Sequence, residues 1–160
     1  MTYSISKAIQ DIEKIMVNLE SPDADVRRNA AAWAQYVFCG NPGNERGGRL
    51  LELVGSKIEL KVNGHAEPVE PDEYVRERCA DCLRLARLGG FDISKFVPAL
   101  KLASERDPVD WVRERALDAL PSNVRKEELK EHPDELPLPK AWTTRPQPPA
   151  APAKEKQLRA

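Results

Sequence analysis

The sequence predicts an all-α fold: a short α-solenoid of about three helix pairs, a possible inserted β-hairpin near residues 57–69, and an extended proline-rich C-terminal tail. Three observations lead there. Hydrophobic residues make up 41% of the 160 residues, but aromatics only 6% and charged residues 32%, the balance of helices with narrow apolar stripes and wide solvated faces. Apolar residues recur at spacings of three and four along most of the chain. One short pattern, built around Val-Arg, occurs three times.

The elements follow in order. Ile5, Ala8, Ile9, Ile12, Met16 and Leu19 mark one face of a helix over Ser4–Glu20, with Ser4 as its N-cap. Pro22 suits the first turn of a second helix, where its missing N–H has no partner to lose, and Asp23 and Asp25 sit well against the positive end of that helix. "CGNPGNERGG" reads as a loop, and "RLLELV" as a short helix ended by Gly55. Ile58, Leu60 and Val62 then alternate with polar residues and run into Asn63-Gly64, a hairpin signal because both turn positions need positive φ. A continued helix is the alternative, weakened by Gly55 and Gly64. Helices are expected over Pro71–Leu88 and Ile93–Ser104, from Pro108 to near Leu120, and, short and charged, over Val124–His132. Residues 1–132 are thus expected to form the repeat domain. Residues 133–160 hold seven of the chain's 14 prolines and little apolar material, so they are expected to be an extended tail with no core of its own.

The repeat aligns on Val26-Arg27, Val75-Arg76 and Val112-Arg113. A proline stands four residues before each valine (Pro22, Pro71, Pro108), with an acidic residue close behind it (Asp23, Asp72, Asp110). Four residues after the valine come Ala30, Cys79 and Ala116, and eight after come Ala34, Leu83 and Leu120. These offsets share one helix face, and small residues mark where another helix comes close. This decides how Cys79-x-x-Cys82 is read. The spacing could hold a metal or a redox pair, but Cys79 stands where the other units have alanine, and Cys82 matches Trp33 and Ala119. Core packing is the expectation, with a regulatory thiol and a metal site as lesser alternatives. A metal would need further ligands, and only Cys39, His65 and His132 are at hand. The valines lie 49 and then 37 residues apart, and the extra 12 are about the size of the inserted hairpin.

"RDPVDWVRERALDAL", "EPDEYVRERCADCL" and the front half of "SPDADVRRNAAAWA" resemble the HEAT-like (armadillo-like) repeats of the phycobilisome-lyase type, whose pattern is near D-P-D-x-x-V-R-x-x-A-x-x-A-L. The resemblance covers roughly residues 4 to 120. It implies stacked helix–turn–helix units and a ladder in which Arg27, Arg76 and Arg113 pair with acidic residues at neighbouring helix starts, such as Asp25, Asp72 or Asp110. Partly exposed pairs of that kind contribute about 0.5–1 kcal/mol each. Some HEAT-repeat enzymes are metal hydroxylases that use His-Glu pairs; this chain has none, so that activity is not carried over.

The net charge of -1 disfavours a general nucleic-acid binder, and acidic residues interleave with Arg28, Arg78, Arg84, Arg87 and Arg115 on the same helices. No apolar run is long enough to span a membrane, and the first residues lack the pattern of a signal peptide. A cytoplasmic protein with reduced thiols is expected, with no catalytic constellation and no cofactor. The functional expectation is a non-catalytic interaction module, an accessory or scaffolding subunit of a larger protein complex or enzyme. The alternatives are a lyase-type component that handles a chromophore or cofactor, and a nucleic-acid-binding HEAT protein. The residues expected to contact a partner are Tyr74 and Trp111, one position before the valine; Arg78 and Arg115, three after it; Asn63 and His65 in the hairpin; and Trp142 in the tail. Packing between repeats is the competing role for the two aromatics.

Overall fold

A computed structural model describes residues 4–40 and 45–124. The expected helix Val124–His132 therefore lies, from residue 125 on, outside the described residues, as do the tail and Trp142. The described elements are mostly helical: α1 (Ile5–Gln10), α2 (Ile12–Leu19), α3 (Ala24–Cys39), α4 (Glu45–Ser56), strands β1 (Leu60–Val62) and β2 (Ala66–Pro68), α5 (Glu73–Leu88), a 3-10 turn Ser94–Phe96, α6 (Val97–Arg106) and α7 (Asp110–Ala119).

The first helix is two. Ser4 caps α1, its hydroxyl accepting from the Lys7 N–H at 3.1 Å, but Asp11 leaves the helical conformation and separates α1 from α2. Aspartate is a weak interior helix former, which fits its place at the break. Ile12, Ile15 and Leu19 still share one buried face, as their spacing requires.

The three repeated prolines stand two residues before the first helical residue instead of at it. Asp23 and Asp72 are the N-caps of α3 and α5, Asp23 accepting from the Asp25 N–H and Asp72 from those of Tyr74 and Val75, so Pro22 and Pro71 precede the cap rather than open the first turn. Val109 holds the cap position of α7, directly behind Pro108. Because proline has no N–H, the side chain before it bonds one residue further on. Ser21, Glu70 and Asp107 accept from the N–H groups of Asp23, Asp72 and Val109 at 3.1, 2.9 and 3.0 Å.

The core lies between the long helices. Helix α3 packs on α5 and α5 on α7, while α1 and α2 back onto α3, α4 onto α5 and α6 onto α7. The helices in the middle are buried on more than one side. In α5 these buried residues are Val75, Arg76, Cys79, Ala80, Cys82, Leu83 and Ala86. Alanine and cysteine at the crossing positions let the backbones approach.

The hairpin forms. β1 and β2 are antiparallel, with Leu60 opposite Pro68 and Val62 opposite Ala66. This register leaves three residues in the connection, Asn63–His65, rather than a two-residue Asn-Gly turn; Gly64 takes φ +79°. The Val69 N–H closes the loop on the Glu59 carbonyl at 3.1 Å, which delivers the chain to Glu70.

Gly55 does not end α4. The helix begins earlier, at Glu45 in the segment expected to be a loop, and runs through Gly55 to Ser56. The glycine is there because the Phe96 ring lies on it: a Cβ at Gly55 would fall 2.3 Å from Phe96 Cε1. Gly55→Ala should therefore destabilise the protein by about 1–3 kcal/mol, the overpacking cost exceeding alanine's helix advantage. Denaturant titration of Gly55→Ala checks this, with Gly48→Ala, where the added methyl meets nothing within 4 Å, as the contrasting variant expected to be neutral or stabilising.

Candidate functional site

The repeated arginines form a continuous line. Arg27 Nη1 donates to the Ser21 carbonyl at 2.9 Å, Arg76 Nη1 to the Glu70 carbonyl at 3.0 Å, and Arg113 Nη1 to the Asp107 carbonyl. Each arginine thus folds back onto the residue before its own proline. The other edge of the guanidinium reaches forward. Arg27 Nε and Nη2 meet Glu70 Oε1 and Oε2 at 3.0 Å each, and Arg76 Nε and Nη2 meet Asp107 Oδ2 and Oδ1 at 2.9 and 3.1 Å. Both pairs are bidentate, the geometry in which arginine holds a carboxylate best. Glu70 and Asp107 therefore each take one arginine on the carboxylate and the next on the carbonyl.

Two expectations are corrected. The partners are Glu70 and Asp107, before the prolines, not Asp25, Asp72 or Asp110, which follow them. Asp72 instead caps α5 through Oδ1, accepting from Tyr74 and Val75, and its Oδ2 meets Arg28 rather than Arg27. The pairs are also buried rather than partly exposed, with side chains 2% and 0% exposed for Arg76–Asp107 and 12% and 3% for Arg27–Glu70. Sequence reasoning missed both acids, although Glu70-Pro71 and Asp107-Pro108 against Ser21-Pro22 carried the signal.

Tyr74 and Trp111 come together, ring centroids 6.2 Å apart and tilted by 33°. The Arg28 guanidinium lies over the Tyr74 ring at 5.2 Å and extends this stack toward α3. Arg78 lies one helical turn beyond Tyr74 and donates to the Arg28 carbonyl at 3.0 Å. Arg115 lies one turn beyond Trp111 and meets Glu77 Oε2 at 3.3 Å. These four residues form one aromatic–arginine row along α5 and α7. Asn63 and His65 sit apart at the exposed hairpin tip, the Asn63 N–H donating to the His65 carbonyl. Beside the row, Arg28 Nη2 meets Asp72 Oδ2 at 2.7 Å. Burial alone would raise the Asp72 carboxyl, but the Arg28 hydrogen bond and the two backbone N–H groups bring it below its ordinary value.

A second surface was not foreseen. Met16, Val17 and Leu53 line an open groove of about 820 Å³ on α2 and α4, with Val17 70% exposed. Ion pairs rim it: Arg49–Glu13, Lys57–Glu20 and Lys95–Glu52.

The cysteine question resolves as packing. Cys79 and Cys82 are free and fully buried, in register with buried Ala30, Ala116, Trp33 and Ala119. Burial pushes the Cys79 thiol up to about 12 and holds that of Cys82 well above its ordinary value, so neither is a ready thiolate. Among the described residues, no group of three or more His, Cys, Asp and Glu could hold a metal ion, and no helix is long and apolar enough to cross a membrane. Comparison of the chain with protein-family models, with curated proteins and with solved structures gave no match.

Two measurements follow from this geometry. Arg76→Gln leaves the Asp107 carboxylate buried and unpaired and should cost about 3–5 kcal/mol in denaturant unfolding, while Arg27→Gln, at a slightly wetter rung, should cost less. Equal and negligible losses would show that the line carries no stability. In the native protein one thiol of three, that of the exposed Cys39, should react promptly with a maleimide, and the other two only on unfolding. Prompt reaction at Cys79 or Cys82 would contradict their burial.

Proposed function

We propose that the chain is a non-catalytic protein-interaction module: a short HEAT-like array of three helix pairs that serves as an accessory or scaffolding subunit of a larger cytoplasmic complex, such as an enzyme. The observation that carries this reading is the arginine line. The fold-back carbonyl recurs at Arg27, Arg76 and Arg113, and the forward bidentate carboxylate at Arg27 and Arg76. This is how stacked helical repeats keep register, and each such repeat contacts chiefly its neighbours. The units would be α1–α3, α4–α5 and α6–α7, with the hairpin as an insertion in the second.

An array this short leaves much of its helical surface uncovered, and a partner can provide the cover. The aromatic–arginine row suits that task, since Tyr, Trp and Arg are the residue types that dominate binding energy at protein interfaces. Trp142, in a stretch otherwise rich in proline, supplies one more such anchor.

The test is native mass spectrometry of the protein isolated gently from its source, alongside a chain lacking residues 133–160. A stoichiometric partner on the full chain, weakened by the truncation, is the expected result; bare single chains in both cases would sink the reading. Once the partner is in hand, the double variant Trp111→Ala, Arg115→Ala should weaken the complex by tenfold or more, as an interface anchor would, at roughly 1.4 kcal/mol per decade. Its thermal midpoint should change little compared with Arg76→Gln. An unchanged affinity would move the contact surface off this row.

A further inference from the structure

We infer that Arg113 is an open carboxylate receptor at the end of the array, and that it takes an aspartate or glutamate directly preceding a proline at a helix start of a partner protein. The inference rests on the interaction-module reading and names the chemistry of its partner.

Three guanidinium groups have the same anchoring, and two of them are filled. Arg27 and Arg76 each hold one carbonyl through Nη1 and one carboxylate through Nε and Nη2. Arg113 holds its carbonyl, that of Asp107, in the same way. Its forward edge meets no acceptor among the described residues. That edge is pre-oriented, because the Asp107 carbonyl already fixes the plane of the guanidinium. A planar fork held in place loses little freedom on pairing, which makes it a better receptor than a free surface arginine.

The two filled forks specify the guest. In both, the carboxylate belongs to the residue before a proline, and it also accepts the N–H two residues on. The same turn holds the carboxylate in position and starts the next helix. A partner that presents an acidic residue before a proline can therefore dock on α6–α7 as α5 docks on α3 and α7 on α5.

A second copy of the chain is a poor guest. Head-to-tail stacking would bring Ser21, the equivalent residue of the first unit, to Arg113 of the next molecule. Ser21 has a hydroxyl that serves its own turn and no carboxylate. The Glu70 and Asp107 carboxylates are already held within the chain. The open end thus selects a different protein over a copy of itself.

The experiment uses the full-length chain, 15N-labelled, with the arginine Nε–Hε signals observed by NMR and that of Arg113 assigned by its loss in Arg113→Lys. The probe is a synthetic heptapeptide with the sequence Glu105–Trp111, which contains the aspartate-proline step that Arg76 holds, beside a control peptide with asparagine in place of that aspartate. The aspartate peptide should shift the Arg113 signal saturably and bind about tenfold more tightly than the control, the two peptides differing by one charge. Arg113→Gln should abolish the difference and lower the melting temperature far less than Arg76→Gln, since it loses the Asp107 carbonyl contact but leaves no buried carboxylate unpaired. An Arg113 signal that does not move, or that moves alike with both peptides, overturns the inference. So does an Arg113→Gln chain destabilised as severely as Arg76→Gln, since the fork would then be occupied already. If the peptide fails while native mass spectrometry still finds a stoichiometric partner, the interaction-module reading stands and this one falls.

Discussion

One hydrogen-bonded line organises the described structure. It runs from the Ser21 carbonyl through Arg27 to Glu70, from the Glu70 carbonyl through Arg76 to Asp107, and from the Asp107 carbonyl to Arg113. Burying an arginine and a carboxylate is costly, and their attraction repays the cost only when geometry is good and the remaining donors are satisfied. Both conditions are met at Arg76. Its Nε and Nη2 take the carboxylate, and its Nη1 is shared between the Glu70 and Pro71 carbonyls at 3.0 and 3.1 Å. The line does something the apolar core cannot do alone. Contacts among alanine, cysteine, valine and leucine tolerate several offsets between two helices, whereas a bidentate pair is satisfied at one.

The hairpin insertion has to respect that requirement. It adds residues directly ahead of Glu70, where an error in length would miss Arg27. Pairing Leu60 with Pro68 and closing Val69 on Glu59 returns the chain with little net displacement. Buried Ile58 anchors its first arm. Lys57 lies 2.8 Å from Glu20 and 3.8 Å from Glu70 and ties the base of the insertion to the line. An exposed tip on a fixed base can vary without disturbing the register behind it.

How far the sequence could be read depended on whether the deciding interaction was local. The repeat offsets correctly placed Cys79, Leu83, Ala30 and Ala116 in the core, because helix periodicity alone sets which face a residue occupies. Alternation into Asn63-Gly64 located the hairpin for the same reason. The misses were long-range. Gly55 reads as a stop until Phe96, from a distant segment, is seen to lie on it. Asp72 reads as the partner of Arg27 until the packing of α3 on α5 is seen to bring Arg27 to Glu70 and Arg28 to Asp72. The aromatic row was legible as a pair of positions, Tyr74 and Trp111, but Arg28 over the ring was not, since it comes from another unit. The apolar groove at Met16, Val17 and Leu53 arises only where α2 and α4 meet and has no signature in either helix alone.

Helix geometry also separates the arginine line from the aromatic–arginine row. With about 100° per residue, the arginine one position after the valine and the aromatic one position before it lie about 200° apart around the helix. The core positions, the valine and the residues four and eight after it, fall near the arginine's side of the arc. Arg76 is accordingly buried beside Val75 and Cys79, while Tyr74 remains only partly covered. The line that sets register is thus sealed beside the core, and the row of Tyr74, Arg78, Trp111 and Arg115 is left on a face that carries less of the fold. Under the proposed interaction-module reading, changes on that face would alter what the chain binds without loosening the helix packing. Arg113 is where the two roles meet. It belongs to the register line by its position and is the last arginine of that line among the described residues; in the reading proposed above, its forward edge would offer the same chemistry to a partner.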